Sequence, residues 1–503
     1  MIQKKLFTVI LSALLIVILS TAYAADMNPL PTERAETIGK GHLRLNNSSS
    51  LDYLNDNTRL YHFSSLNLIL GVAENADLFL KYRGLTYREG PDFNDAIGPG
   101  DLTVGLKASP FSGDWGTLGF LISTKLPNAN DKDGLGTDVQ DFHLVGLYTL
   151  ALKSLILNFN AGLHIIGDTT EMRKYHYLFG YGVGFEYMIS DHFSIVGDVS
   201  GATGGRDDFE WCKATLGFVA PIANGWEWGL TASAGLTSET PDWSVGLHFS
   251  REWSLDGLIP DTSPASGGNP TIVILYPFPL DLEEAATIGH GSLYFEAEFS
   301  AMGFKRYNLY TPSLDLRYGI AEGVDVQVEI PYSFLEDSPI YGRTDGLSDV
   351  RVGFKISPWR LGKFQFGVLN EIKMPSTNDS EGLGKKEMDY TLLFLTSASL
   401  DRFLVHLNLG FSIEGNPEET SSQRDFLIFG AGAEYALTDW LSLYGNFYGK
   451  TFHTDRLCSY LLEGGFRFML YKKIIVSASG GTGFANNDPD WTANFGVALP
   501  IDF

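Results

Sequence analysis

The chain is short of cysteine, of basic charge and, past its N-terminus, of long apolar runs. Cys212 and Cys458 are its only cysteines, so a disulfide framework is not the basis of the fold. Lys and Arg number 36 against 60 Asp and Glu, a net charge of −24, and such a balance argues against nucleic acid as a partner. After the N-terminal segment no apolar run reaches the roughly 20 residues that a membrane-spanning helix needs. Yet 44% of the chain is hydrophobic and 13% aromatic, with 55 glycines. Composition alone fits a secreted soluble chain or a membrane protein built of strands, and pattern has to decide.

The N-terminus is the one long apolar stretch. Lys4 and Lys5 precede a run from Leu6 to Leu19, and Ala22-Tyr23-Ala24 offers small residues before Ala25. This reads as a secretory signal peptide over residues 1–24. Its removal takes away two lysines and leaves a charge of 34 − 60 = −26.

From Gly41 the chain breaks into about twelve alternating segments, the first near 41–50 and the last near 243–253. Leu155, Leu157, Phe159, Ala161 and Leu163 share one face of such a segment, with Asn158, Asn160 and His164 on the other. A period of two is the mark of a strand with one apolar face. The connections alternate between tight turns, such as Glu74–Asp77 and Ser190–His192, and long polar stretches, such as Glu89–Pro99 and Asn128–Asp138. That is the layout of a transmembrane antiparallel β-barrel with short periplasmic turns and longer outer loops. The expected fold is therefore all-β, with about 24 up-and-down strands in two repeats.

The repeat is visible directly. Gly98 to Lys107 (GPGDLTVGLK) returns as Gly346 to Lys355 (GLSDVRVGFK), an offset of 346 − 98 = 248. Glu33, Ala35, Thr37-Ile38-Gly39 and Gly41 return as Glu283, Ala285, Thr287-Ile288-Gly289 and Gly291 at an offset of 283 − 33 = 250. One small indel across each half indicates tandem duplication. Residues 25–253 form the first barrel repeat, 254–278 a Pro/Gly/Ser-punctuated linker and 279–503 the second repeat. The last strand ends in Phe503, as the closing strand of an outer-membrane barrel does. Two twelve-stranded barrels are expected rather than one of 24 strands, because no loop looks long enough to plug so wide a lumen. Leu102, Val104 and Leu106 are expected to face lipid.

These stretches resemble a known family, the outer-membrane barrel proteins grouped under the MetA pathway of phenol degradation. The resembling residues are Glu36 to Gly41, Gly100 to Lys107 with its copy Ser348 to Lys355, Lys125-Leu126-Pro127 followed by Gly134-Leu135-Gly136, and Leu437 to Leu443. The resemblance implies an outer-membrane channel or uptake pore for small solutes, apolar or aromatic ones among them. It supplies no catalytic residue and no cofactor. Outer-membrane lipid and lipopolysaccharide are the surroundings it implies, and a non-conducting surface barrel is the alternative.

Charges that recur on the inward faces are the candidate site. Lys125 with Asp141, and Lys373 with Asp389, should meet near the outer mouth of each lumen, while Lys107, Lys355, Glu186 and Glu434 should lie nearer the periplasmic end. They form either a rigidifying salt-bridge lattice or a solute filter. Asn128 to Gly134 carries closely spaced oxygens without the full calcium-loop pattern, so it reads as a solvated acidic loop and no metal site is assigned. Trp115, Trp211, Trp226, Trp228, Trp243, Trp440 and Trp491 fall near strand ends, where an interfacial girdle is expected. No Ser, His and Asp grouping recurs, and the chain is read as a non-enzyme.

Overall fold

The computed structural model describes residues 30–255 and 282–502, apart from 55–57, 91–92, 131–134, 138, 168–174, 205–209, 378–381, 385–386, 416–423, 453–457, 471–473 and 486–487. The expected signal peptide, nearly all of the expected linker, Phe503 and the acidic end of the 128–134 loop lie outside the described residues. The chain divides into two compact units, one made of most of the residues up to Asp256 and the other of those from Gly257 onward together with two short earlier stretches.

In the first unit the strands are β1 (His42–Tyr53), β2 (Arg59–Ala73), β3 (Ala76–Tyr82), β4 (Leu85–Gly90), β5 (Phe93–Pro99), β6 (Leu102–Gly113), β7 (Gly116–Leu126) and β8 (Asp141–Leu152). They continue as β9 (Leu155–Gly167), β10 (Tyr175–Ser190), β11 (Phe193–Thr203), β12 (Trp211–Pro221), β13 (Trp226–Gly235) and β14 (Trp243–Ser254). The sheet runs from β1 through β14 back to β6 and then β3, β2, β4 and β5, and β1 pairs antiparallel with both β2 and β14, so the ring closes. Closure leaves no row of unpaired backbone groups, the condition for a sheet to sit in lipid.

The second unit repeats this with β15 (Ser292–Phe304), β16 (Tyr307–Ala321), β17 (Val324–Ser338), β18 (Gly342–Leu347), β19 (Arg351–Leu361), β20 (Phe364–Lys373) and β21 (Asp389–Leu400). It goes on through β22 (Phe403–Glu414), β23 (Arg424–Ala436), β24 (Leu441–Thr451), β25 (Ser459–Leu470), β26 (Ile474–Gly483) and β27 (Trp491–Asp502). Here β15 closes the ring by pairing with β16 and β27. Setting aside β4, β5 and β18, each ring has twelve strands, so the protein is two closed twelve-stranded barrels in tandem.

The extra strands correct one expectation. Glu89–Pro99 is not an irregular loop: β4 and β5 make a hairpin that carries the β2 edge onward, with Tyr61 opposite Tyr87. Their rings lie 5.8 Å apart. The break comes at Gly84, where a Cβ would meet the Ser64 carbonyl oxygen at 2.2 Å, and Ser64 itself takes a φ of 55°.

Side-chain exposure follows the pleat. Along β22, Phe403, Leu407, Leu409 and Phe411 are exposed, while His406, Asn408 and Ser412 between them are buried. In β9, Phe159 and Leu163 are exposed and Asn158 is buried. The apolar face is thus the outer one, as lipid requires. On β6 that face is less open, with Leu102 and Val104 half-buried and Leu106 fully enclosed. Trp115 stacks on Tyr148 and Trp440 sits edge-on to Phe468, both exposed at strand ends as an interfacial girdle would be. Trp226 departs from the girdle: it is buried beside the Arg251 guanidinium, 5.6 Å from the ring. Both cysteines are free.

Candidate functional site

The lumen of each barrel is not bare. The segment before each first strand runs through it as a strap, and this is what the sequence did not disclose. In the first barrel the strap is residues 30–41. Thr32 donates its N–H and its hydroxyl to the Asp198 carboxylate on β11, at 3.2 and 2.7 Å. The backbone of Glu33 exchanges two hydrogen bonds with the Asn160 side chain on β9, at 2.7 and 2.9 Å. The Ala35 N–H donates to Thr149 on β8 at 2.8 Å, its carbonyl accepts from Ser109 on β6, and the Ile38 N–H donates to Asp77 on β3. A short segment can reach β3, β6, β8, β9 and β11 only from inside the ring.

The second strap, residues 282–291, repeats the plan. Glu283 exchanges two bonds with Asn408 on β22, at 2.7 and 2.8 Å, and the Ala285 N–H donates to Ser397 on β21 at 2.8 Å. Ile288 donates to Asp325 on β17, and the Glu284 carbonyl accepts from Lys355 on β19. Ala35 and Ala285 are fully buried, each in an apolar cluster drawn from the barrel wall. The exit from the strap is set by glycine. Gly39, Gly41, Gly289 and Gly291 all have φ between 77° and 94°, the left-handed region that glycine enters without strain. A Cβ on Gly71 or Gly319 would lie 1.7 Å from the carbonyl oxygen of Gly39 or Gly289. The Glu-x-Ala-x-Thr-Ile-Gly repeat is therefore a motif for seating the strap. Its one visible signal was that it recurs while lying outside any alternating segment.

The sequence-singled charges all sit in ion pairs. Lys125 lies 2.5 Å from Asp141 and 3.9 Å from Asp101, and Lys373 pairs with Asp389 and, at 3.6 Å, with Asp349. Lys107 reaches Asp77 at 3.6 Å and Lys355 reaches Glu283 at 3.5 Å. Glu186 pairs with Arg34 of the first strap, whereas Glu434 pairs at 2.7 Å with Arg467 on β25. The repeated glutamate thus keeps a guanidinium partner that comes from the strap in one barrel and from the wall in the other. Burial works to raise the Glu283 carboxyl, but the Arg317 and Lys355 cations beside it prevail and hold it down at about 2. The Ser397 and His406 side chains meet at 2.8 Å, and Ser397 is engaged in receiving the strap.

In the first barrel a cavity of about 650 Å³ lies against the strap. Its lining includes Glu33, Asn46, Asn67, Lys81, Lys125 and Asp141, together with the Leu135–Thr137 stretch of the outer loop. That loop is tied down where Asp101 accepts the N–H groups of Ala129 and Thr137, each at 3.0 Å. The cavity wall thus mixes these polar and charged groups with apolar ones, Leu30, Leu66, Leu135 and Phe249 among them.

A closed twelve-stranded antiparallel ring with an exposed apolar outer face and a polar, charged interior defines an outer-membrane β-barrel. Residues 284–501, nearly the whole second repeat, match the family model described as putative MetA-pathway of phenol degradation, so the second repeat is similar to that family. No curated protein matches the chain. Among solved structures it is similar to an outer-membrane channel from Pseudomonas putida F1, at 13% identity and a TM-score of 0.38, over 44% of this chain and 100% of that one. It is also similar to the NanC porin at 10% identity and a TM-score of 0.30, over 42% of this chain and 100% of that one. The outer-membrane protein OpdK from Pseudomonas aeruginosa matches at 7% identity and a TM-score of 0.19, over 92% of this chain and 98% of that one.

Proposed function

We propose that the protein is an outer-membrane channel for small polar solutes, with one strap-narrowed lumen in each barrel. The observation that carries this reading is the 650 Å³ cavity of the first barrel, whose lining of Asn46, Asn67, Lys81, Lys125 and Asp141 offers water and polar solutes hydrogen-bonding groups. Pore-lining charge held in ion pairs fixes the width and polarity of a lumen, and the Lys125–Asp141 and Lys373–Asp389 pairs serve that role here. The family's name points to aromatic compounds, but the charged and amide groups in this wall give solutes that carry charge or hydroxyl groups partners there.

Solute-dependent swelling of liposomes carrying the purified chain tests the reading. Swelling in small sugars or amino acids that is absent from protein-free liposomes is the expected result. Folded protein that supports no swelling would instead favour a non-conducting surface barrel embedded in lipopolysaccharide.

A further inference from the structure

The two lumens descend from one repeat but differ in charge. On the inner wall of the second barrel stand Glu296, Glu298, Asp315, Glu329, Glu371 and Glu463. Shifted by the repeat offset of 250 in the first strand and 248 elsewhere, the matching residues of the first barrel are Asn46, Ser48, Asn67, Lys81, Ser123 and Thr215. Six carboxylates in one barrel thus correspond to five neutral side chains and a lysine in the other. The strand registers make this a property of place: Glu296 lies directly opposite Asp315 across β15–β16, and Asp315 directly opposite Glu329 across β16–β17. Like charges directly opposed on neighbouring strands destabilise a sheet, and a visiting cation relieves that repulsion.

Cations of the wall cover only part of this row. Arg317 lies against Asp315 and Glu283, and Arg351 against Glu329 at 2.9 Å and Glu371 at 3.9 Å. Glu296 takes its hydrogen bond from the Tyr294 hydroxyl at 2.9 Å, and neither Glu296 nor Glu298 forms an ion pair among the described residues. The charged groups acting most strongly on Glu298 are all carboxylates: Glu296, Glu329, Glu463 and Asp315. Space is kept beside them, because a Cβ on Gly496 would come within 2.9 Å of a Glu296 carboxylate oxygen, where the first barrel has His248.

A second observation points to a ligand. Asn446 stands directly opposite Glu463 across β24–β25 and is only 4% exposed, yet neither its Oδ1 nor its Nδ2 has a hydrogen-bond partner. Its counterpart in the first barrel, Asp198, accepts from the Thr32 N–H and hydroxyl of the strap through one of its two carboxylate oxygens. The second strap has Leu282 at that place, so the strap supplies Asn446 no hydrogen bond, and both amide atoms stand unpartnered on the residue opposite Glu463.

We infer that the second barrel selects cationic solutes, monovalent cations and protonated amines, through the Glu296–Asp315–Glu329 row and Glu298, while the first barrel does not. This rests on the channel reading above. Rings of carboxylates are the usual means by which a pore favours cations.

Reversal potentials of the full chain in planar bilayers, under a potassium chloride gradient, test it. The wild type should favour potassium over chloride. The variant E296N/E298S/D315N, which installs the first barrel's residues, should keep its conductance and lose at least about twofold in that ratio, as expected of a pore stripped of acidic lining. The reciprocal variant N46E/S48E/N67D should raise the ratio. Intact conductance with an unchanged ratio in both variants, or a wild type that favours chloride, would overturn the inference. A folded wild type with no conductance would overturn the channel reading beneath it.

Discussion

Asp325 holds Ile288 from both oxygens of its carboxylate, with the Ile288 N–H 3.3 Å from one and 3.0 Å from the other, and Asp77 holds Ile38 in the same way at 3.2 and 3.1 Å. Both aspartates are fully buried at the start of the third barrel strand. This shared contact fixes the end of each strap just before the glycine turn into the first strand. Removing it leaves a buried N–H without an acceptor, a cost of about 1–3 kcal/mol. Asp325→Ala is expected to lower the melting temperature of the barrel in detergent and to make the second strap susceptible to protease, with Asp325→Asn milder on both counts.

The strap depends equally on the absence of a side chain beneath it. A Cβ on Gly319 has nowhere to go, being 1.7 Å from the backbone oxygen of Gly289, and backbone cannot swing aside as a long side chain can. Gly319→Ala should therefore unseat the second strap while leaving the strand pairing intact. Limited proteolysis that cuts within 282–291, with heat-modifiable gel mobility preserved, is the expected pattern.

The Glu283 carboxyl sits on the strap rather than on a membrane-spanning strand, and its value in the seated strap, about 2, lies below the ordinary 4.5. A lowered value means that ionised Glu283 stabilises the seated strap. That stabilisation is complete above about pH 4.5 and is lost as the pH falls toward 2. Protease protection of the second strap should hold from pH 7 to 5 and weaken below 4, as followed with an acid protease. Glu283→Gln should remove the pH dependence and leave protection low throughout.

Arg467 and Glu434 form a pair in which each side chain is 3% exposed. Breaking a buried pair from one side costs about 3–5 kcal/mol, because the remaining charge loses its compensation. Arg467→Ala should destabilise the folded chain strongly, whereas the double variant R467L/E434L should recover much of the loss. Thermal melts of the single and double variants in one detergent measure both.

Outward and inward positions of one strand should respond oppositely to charge. Leu409 is 55% exposed on the outer face of β22, between the buried Asn408 and Gly410. Leu409→Arg places a cation against lipid at a cost of about 2–4 kcal/mol near the midplane. Refolding yield into lipid vesicles should fall by a margin that shrinks in detergent, where the mutated face is less strictly apolar.

Most of the barrel was legible because a strand with one lipid face writes its period into the residues. The twelve segments of each half, the short turns between alternate pairs and the pairings of Lys125 with Asp141 and of Lys373 with Asp389 could all be placed from spacing. The straps could not. Residues 30–41 and 282–291 carry no period, since their bonds run from backbone groups to polar side chains scattered over many strands. Their partners, such as Asn160, Thr149 and Asp77, look like ordinary inward residues. A search for long loops does not find the straps, because the segment inside each ring precedes the strands instead of joining them. The β4–β5 hairpin was hidden by its charge, since acidic residues and Pro99 make 89–99 resemble a solvated loop.

The central claim is that this barrel pair conducts, and single-channel recording of the refolded full chain in a planar bilayer tests it most directly. Discrete, reproducible conductance steps in potassium chloride, which grow when Gly319→Ala unseats the second strap, are the predicted result. A chain that is folded by gel mobility and inserted in the bilayer, yet gives no steps with or without that change, would contradict the account.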